Sequence, residues 1–316
     1  MLVYCALAAM VVLAGFIVFF IVYVLYAAFQ EYRPDRVPAL LYHQIISKEK
    51  VDSGELVNHE RVYVAYDSSF AEQMGYLHRH GYTTITVDDL VAFQEGRRPL
   101  PSRPIIVTFD DGFMSNYLYA FPILKRYAMK ATIFVTPDRE SQNFKKYAHI
   151  DAPLSPEQTR EMSEHGISIE SHGMTHRYLT ELSPDVTRWE LTESKKVLES
   201  TTEKPVRFLA VPSGAYNRLV RRLAKECGYE AVFCMLKGTN NKGSDRYALR
   251  RLVVARDVTL SDFHNLLSPA TAVRLRLMSC IQNMLLQVLG PGGLDKLRNS
   301  LYRSPLVWVF SSGKMR

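Results

Sequence analysis

The sequence predicts an α/β fold built on a largely parallel sheet, and three observations predict it. Short apolar, β-branched runs alternate with amphipathic helical stretches from Ala39 to Val254, the order that strands joined by crossover helices require. Several of these runs stop abruptly at polar residues beside a glycine, as Ile105-Ile106-Val107-Thr108-Phe109 stops at Asp110-Asp111-Gly112. The one charge-free apolar stretch long enough to cross a bilayer, Met1 to Phe29, lies outside the alternation. The pattern alone does not separate an open sheet from a closed barrel.

Taken in order, Met1 to Phe29 reads as an uncleaved membrane anchor. A cleaved signal would want a basic start, a shorter apolar core and a small-x-small site, and none stands out. Pro34 and Pro38 mark a linker over residues 30–38. Ala39 to His43 reads as the first core strand, Lys48 to Tyr63 as a polar rim loop, and Ser69 to His80 as an amphipathic helix. Tyr82 to Val87 follows as a strand and Asp88 to Gln94 as a short helix capped by its own aspartate. After the strand ending in Asp110-Asp111, a helix is expected over Phe113 to Tyr127, a strand over Lys130 to Val135, and a polar insertion over Asp138 to Ile150. Ser155-Pro156 and Ser183-Pro184 each pair a capping serine with proline at the first helical position. Gly166 to Glu170 alternates like a strand, and Phe208 to Asn217 reads as the next strand end. A helix is expected over Arg207 to Gly228, then strands over Tyr229 to Met235 and Leu249 to Val254. Residues 268–316 mix basic and apolar side chains, with an amphipathic helix around Val273 to Leu286 and a second basic–apolar stretch from Leu294 to Val309. Such a tail suits a membrane interface, and packing on the 39–267 domain is its rival.

The chain of 316 residues is long enough for one sizeable domain with appendages, and its net charge of +7 fits an anionic partner such as a membrane surface. No repeat, low-complexity tract or zinc-finger spacing is visible, and no nucleic-acid partner is expected. Of four cysteines, Cys227 and Cys234 flank a helix end and the following strand. A disulfide there is the alternative to free, buried thiols, which are expected.

Chemistry concentrates at strand ends. Adjacent strand residues point to opposite faces, so Asp110 and Asp111 act together only where the chain turns, which Gly112 allows. Two like charges this close shift each other's pKa, and a cation beside them relieves the repulsion. An Asp-Asp-Gly turn capping the next helix is the plainer reading. Ser171-His172-Gly173-Met174-Thr175-His176 places two histidines four apart after another strand, a spacing that lets both imidazoles reach one ion. Together the two strand ends make a two-histidine, one-carboxylate site with positions open for water and substrate.

Thr108-Phe109-Asp110-Asp111-Gly112 followed by Ser171-His172-Gly173-Met174-Thr175-His176 resembles the polysaccharide deacetylase family (carbohydrate esterase family four), over about Val37 to Phe263. The resemblance implies a distorted (β/α) barrel with its site at the carboxyl ends of the strands. It implies that Asp111, His172 and His176 hold a divalent metal, usually zinc, and that Asp110 is the general base. Tyr42-His43 resembles the permuted branch that includes poly-N-acetylglucosamine deacetylases, which makes His43 the general acid in place of a late Leu-x-His absent here. Arg251 sits nearest the arginine that pairs with the base aspartate in that branch; a buried arginine in any case needs a carboxylate partner. Arg250 would then face solvent.

Pro212, Ser213 and Gly214 stand where many members carry Arg-x-Pro-Tyr-Gly, whose backbone N–H helps hold the oxyanion. Ala210 replaces the arginine, as in the permuted branch, and Ser213 replaces the tyrosine, a departure at the substrate wall that leaves the backbone N–H in place. The implied activity is metal-dependent removal of N-acetyl groups from an amino-sugar polysaccharide or a membrane-linked glycan, with polysaccharide synthesis or export proteins as further partners. The alternatives are an O-acetyl esterase on a glycan and a non-catalytic glycan-binding or assembly protein of the same fold. Arg33 and Arg36 after the span favour a cytoplasmic domain by the positive-inside rule, whereas the resemblance implies an extracytoplasmic one.

Overall fold

The computed structural model describes residues 2–50, 64–256, 258–282 and 284. Most of the expected rim loop (51–63) and the Leu294 to Val309 stretch lie outside them. The chain divides into two compact units, Val37–Leu266 and a second made of Met1–Arg36 with Leu267–Arg316.

The larger unit is a barrel. Its strands are β1 (Ala39–Tyr42), β2 (Gln44–Ile46), β3 (Val64–Tyr66), β4 (Thr83–Thr84), β5 (Pro104–Phe109), β6 (Thr132–Val135), β7 (Ser168–Ser171), β8 (Phe208–Ala210), β9 (Ala231–Lys237) and β10 (Leu249–Val253). Seven of them run in the order β1-β10-β9-β8-β7-β6-β5 and close through a β1–β5 pairing, every pair parallel. β4 flanks β5, and β2 pairs separately with β3. Four of the barrel strands, β1, β5, β6 and β8, are wholly buried and read as near-continuous apolar runs, as expected for a sheet covered on both faces. Ile106, Phe134, Phe208, Ala210, Phe233 and Leu249 belong to one buried cluster, and burying a large apolar side chain contributes about 1.5–3 kcal/mol.

Closure aligns the carboxyl ends. Tyr42 pairs with Phe109, Phe109 with Ile133, and Ser171 with Leu209, so the residues that follow β1, β5, β7 and β8 emerge together. Between β9 and β10 the register slips: Leu249 faces Phe233 but Arg251 faces Lys237. Such an irregularity bends a strand and re-aims its side chains.

Local readings need four corrections. The Val87–Gln94 helix is capped by Thr86, not by Asp88, because Thr86 and Asp89 form a reciprocal capping box. The span from Arg207 to Gly228 is not one helix. It holds β8, the Pro212–Gly214 turn and a helix over Arg218–Glu226 capped by Asn217. The helix after β5 begins with a π turn over Asn116–Ala120 before the α-helix Phe121–Arg126. The insertion at 138–150 is not merely polar: it contains the helix Gln142–Tyr147, and Phe144, Tyr147 and Ile150 are buried against Phe113. Ser155 and Ser183 cap their helices as expected. Cys227 and Cys234 are free thiols, Cys234 buried.

The smaller unit contains the helix Leu2–Glu31. Only 11% of its apolar window Ala14–Glu31 is buried, whereas a core helix of that composition would be mostly covered. The same unit contains a second helix over residues 269–282. The two are joined by a buried ion pair, Arg276 Nε to Glu31 Oε1 at 2.6 Å.

Candidate active site

Asp110 and Asp111 occupy one backbone step in which the chain changes handedness. Asp110 still belongs to the sheet, its N–H donating to the Tyr42 carbonyl at 3.0 Å. Asp111 follows at φ 73° and Gly112 at φ 86°, a conformation that strains a residue with a Cβ and is free only for glycine. Gly112 is also pressed against β6, where an added Cβ would meet Val135 Cγ1 at 3.0 Å. The step sends the two carboxylates to different partners.

Asp110 meets Arg251. The guanidinium donates through Nη1 to Oδ1 at 2.5 Å and through Nη2 to Oδ2 at 2.8 Å, and both side chains are 4% exposed. Phe134 and Phe233 flank the guanidinium, with ring centroids 5.8 and 5.4 Å from its carbon. Burial pushes the Asp110 pKa up, but the charges of Arg251 and His172 outweigh it and hold the carboxyl below its ordinary value. Arg250 is only half-buried, its guanidinium donating to the Lys237 carbonyl.

Asp111 meets the histidines. Its Oδ1 lies 3.1 Å from His176 Nε2 and 3.5 Å from His172 Nε2, and the three donor atoms fall within 4.8 Å of one another. Burial opposes the ionised form of Asp111, yet His176, His43 and His172 hold its pKa far below the ordinary value. His172 donates from Nδ1 to the Ala210 carbonyl at 2.8 Å, which fixes the tautomer and leaves Nε2 as a lone pair facing Asp111. Burial pushes its pKa down to about 4, so the imidazole is neutral near pH 7, the form that ligates metals. His176, at φ 60°, is opposed by burial but raised above its ordinary value by Asp111. Asp111 Oδ1 is buried and accepts no well-aligned hydrogen bond. A carboxylate oxygen and two imidazole nitrogens converging on one point fit a divalent cation.

The histidine loop is held from outside. Glu190, fully buried on the helix Pro184–Thr202, accepts the N–H groups of Met174 at 2.8 Å and Thr175 at 2.9 Å, and also the Thr175 hydroxyl. Sequence reasoning missed this residue. Its signal was an acidic side chain in register with Thr187, Leu191 and Ser194 on the buried face of an amphipathic helix.

His43 follows β1 among these charges. Burial holds its pKa below the ordinary value against the pull of Asp111 and Asp110. Its carbonyl accepts Asn116 Nδ2 at 2.7 Å from the π turn, a second contact the sequence did not disclose. The preceding Tyr42 is buried, donating to Gln73 Oε1 at 2.7 Å and packing on Phe70 and Phe109.

The 212–214 turn stands beside the loop, since a Cβ on Gly173 would meet Pro212 Cγ at 3.3 Å. The Gly214 N–H is bonded to the Val211 carbonyl and the Ala215 N–H to that of Pro212, and proline has no N–H. Within this turn the N–H of Ser213, an exposed residue at φ 53°, takes part in neither of these bonds. Over Gly214 lies Met235, 56% exposed, so close that a Cβ at 214 would meet Met235 Cγ at 1.7 Å. An apolar side chain therefore stands over the residue next to Ser213, a neighbour that no motif announced.

The family profile described as polysaccharide deacetylase matches residues 97–232. The polysaccharide deacetylase homologue YxkH of Bacillus subtilis is 31% identical over 231 residues, covering 73% of this chain and 76% of that protein. The poly-beta-1,6-N-acetyl-D-glucosamine N-deacetylase of Staphylococcus epidermidis is 28% identical over 246 residues, covering 72% of this chain and 82% of that one. Among solved structures, the Streptococcus pyogenes deacetylase PplD in complex with acetate shares the fold at a TM-score of 0.64 and 24% identity, over 75% of this chain and 100% of its own.

Proposed function

The chain belongs to the polysaccharide deacetylase family, and from that premise we propose that it is a metal-dependent carbohydrate N-deacetylase that releases acetate from N-acetylated amino-sugar glycan. The observation that carries the proposal is the division of labour at Asp110 and Asp111, one carboxylate paired with Arg251 and the other facing two imidazole nitrogens.

In this reading Asp111, His172 and His176 hold the divalent ion. Two nitrogens and one oxygen suit zinc, and Zn2+ is the proposed metal. When bound, such an ion polarises an acetyl carbonyl and lowers the pKa of water beside it. Asp110 is the base: kept ionised and oriented by Arg251, it accepts the proton of the attacking water at a carboxylate oxygen. The Ser213 N–H donates to the developing oxyanion, and loss of one such donor typically costs about 3–4 kcal/mol. His43 protonates the leaving nitrogen as the C–N bond breaks. The relative from Staphylococcus epidermidis bears the name of a poly-beta-1,6-N-acetyl-D-glucosamine N-deacetylase, which supports the same class of polymer, or a membrane-linked glycan of that sugar, as substrate here. The exposed apolar helix Leu2–Glu31 supports a membrane-anchored enzyme, with the catalytic domain outside the cytoplasm.

Acetate release from acetylated amino-sugar oligomers and polymers, with and without chelator, tests the reading; O-acetylated glycans in the same panel test ester chemistry. Asp110→Asn should keep the metal and lose about 10²- to 10⁴-fold in turnover. Asp111→Asn should lose metal. Chelator-insensitive release, or equal metal loss in both variants, would overturn the assignment.

A further inference from the structure

We propose that the helix over residues 269–282 lies along the membrane surface, fastened to the anchor by the Glu31–Arg276 ion pair, and that lipid at the headgroup boundary is the partner of its half-exposed apolar side. The proposal rests on the anchor reading of Leu2–Glu31 given above.

Depth is the first part of the argument. Glu31 is the first charged residue after the charge-free stretch Met1 to Phe29 and ends the helix Leu2–Glu31, so on the anchor reading it stands where the span meets water. Arg276 touches it at 2.6 Å and is therefore at the same depth. Glu31 is 0% and Arg276 3% exposed, so the two charges are withdrawn from the surroundings and satisfied against each other. Ionisable groups at the edge of a bilayer are tolerated in that arrangement.

The connection is tied at a second point. The Arg36 guanidinium donates to the Glu31 carbonyl at the end of the first helix and to the Leu267 carbonyl just before the second. A cation there also favours the negative end of the first helix.

The faces complete the argument. On the second helix Ala272, Leu275, Arg276 and Ser279 are buried, a spacing of three and four that defines its inner side. Val273, Leu277, Met278 and Ile281 are only half-buried, and Arg274 is exposed. On the first helix Ala27 and Glu31, one turn apart, are buried, while Phe16 to Val22, Leu25, Tyr26 and Phe29 are 38% to 64% exposed. The half-buried apolar strip of the second helix thus sits at the depth where the exposed apolar surface of the span ends. A helix of this kind buries its apolar side among headgroups and leaves its basic residue to anionic lipid.

The test uses full-length protein in vesicles of phosphatidylcholine and phosphatidylglycerol carrying lipid brominated high in the acyl chain. With Trp189 and Trp308 replaced by phenylalanine, Leu277→Trp reports contact with lipid by fluorescence quenching. Quenching is expected for Leu277→Trp, its loss on adding Glu31→Gln, and its return in the swap Glu31→Arg with Arg276→Glu. Unquenched tryptophan in protein that floats with the vesicles and retains its N-terminal residues by mass would overturn this inference and leave the anchor intact. Protein that fails to float, or that lacks the first helix by mass, would overturn the anchor reading and this inference with it. Ester hydrolysis in each variant verifies that the barrel is folded.

Discussion

Arg251→Met removes the charge that holds Asp110 and leaves a side chain of similar length between Phe134 and Phe233. Two opposite unit charges about 4 Å apart at an effective dielectric of about 20 interact by about 4 kcal/mol. At about 1.4 kcal/mol per pKa unit, that is roughly 3 units. Asp110 now lies below its ordinary pKa because Arg251 and His172 outweigh burial. Without Arg251, burial prevails and the pKa rises above the ordinary value.

A base must be deprotonated to work, so the acidic limb of kcat/KM should move to higher pH by about 2–3 units, with activity partly recovered in alkali. Stability should fall by about 3–5 kcal/mol at neutral pH, the usual result of stranding one member of a buried pair. The sign follows from linkage. In wild type the depressed pKa gives stability that is present above the unfolded value and lost as pH falls through the folded one. In the variant the pKa is raised, so its deficit should shrink in acid. The assays are a pH–rate profile on an acetylated amino-sugar oligomer and melting curves across pH, with metal content measured alongside. Loss of activity with an unmoved acidic limb and an unchanged melting temperature would refute the reasoning. Arg251→Lys should recover only part, because an ammonium cannot reproduce two parallel hydrogen bonds.

Three further outcomes are expected. His43→Ala should keep the metal and lose most amide turnover, yet retain far more activity on an acetyl ester with a phenolate leaving group, which needs no proton; an unchanged ratio of the two activities would remove His43 from the role of acid. Met235→Ala should raise KM for oligomers with little change in kcat or metal content, and Met235→Leu should stay near wild type; equal kinetics in all three would make the side chain irrelevant to substrate. Asp151, whose Oδ1 accepts the N–H groups of Ser115 and Ala152, is pushed up by burial to about 6, so its contribution to stability is full below the unfolded value and lost as pH rises through 6. Asp151→Asn keeps the acceptor and should be the more stable protein above that pH by on the order of 2 kcal/mol, the difference vanishing in acid; a pH-independent difference would contradict the sign.

What could be read from the chain was local. Asp110, Asp111, His172 and His176 stand at strand ends marked by apolar runs and glycines, and the helix caps at Ser155 and Ser183 follow from two adjacent residues. Closure of the barrel was not legible, because β1 pairs with both β5 and β10 across most of the domain and no short-range pattern encodes that. The same holds for Glu190, which reaches the histidine loop from a different element. Thr86 was misjudged against Asp88 because either residue can cap, and the reciprocal bond to Asp89 decided it. The helix inside 138–150 was overlooked although Phe144 and Tyr147 stand three apart, since the charged residues around them dominate the composition.

The reversal of backbone handedness between Asp110 and Asp111 makes the site intolerant of phase. A strand alternates its side chains with a period of two, so inserting one residue between Ile105 and Phe109 would not simply lengthen β5. It would hand the first carboxylate to the position that faces the imidazoles and push the second into the turn. Arg251 would be left opposite a residue of the wrong kind. Adjacent identical residues look interchangeable on paper; in this barrel each is defined by its place in a count that begins several residues upstream. Mutational drift can therefore enlarge the loops beyond the strand ends freely, while the length of β5 itself stays fixed.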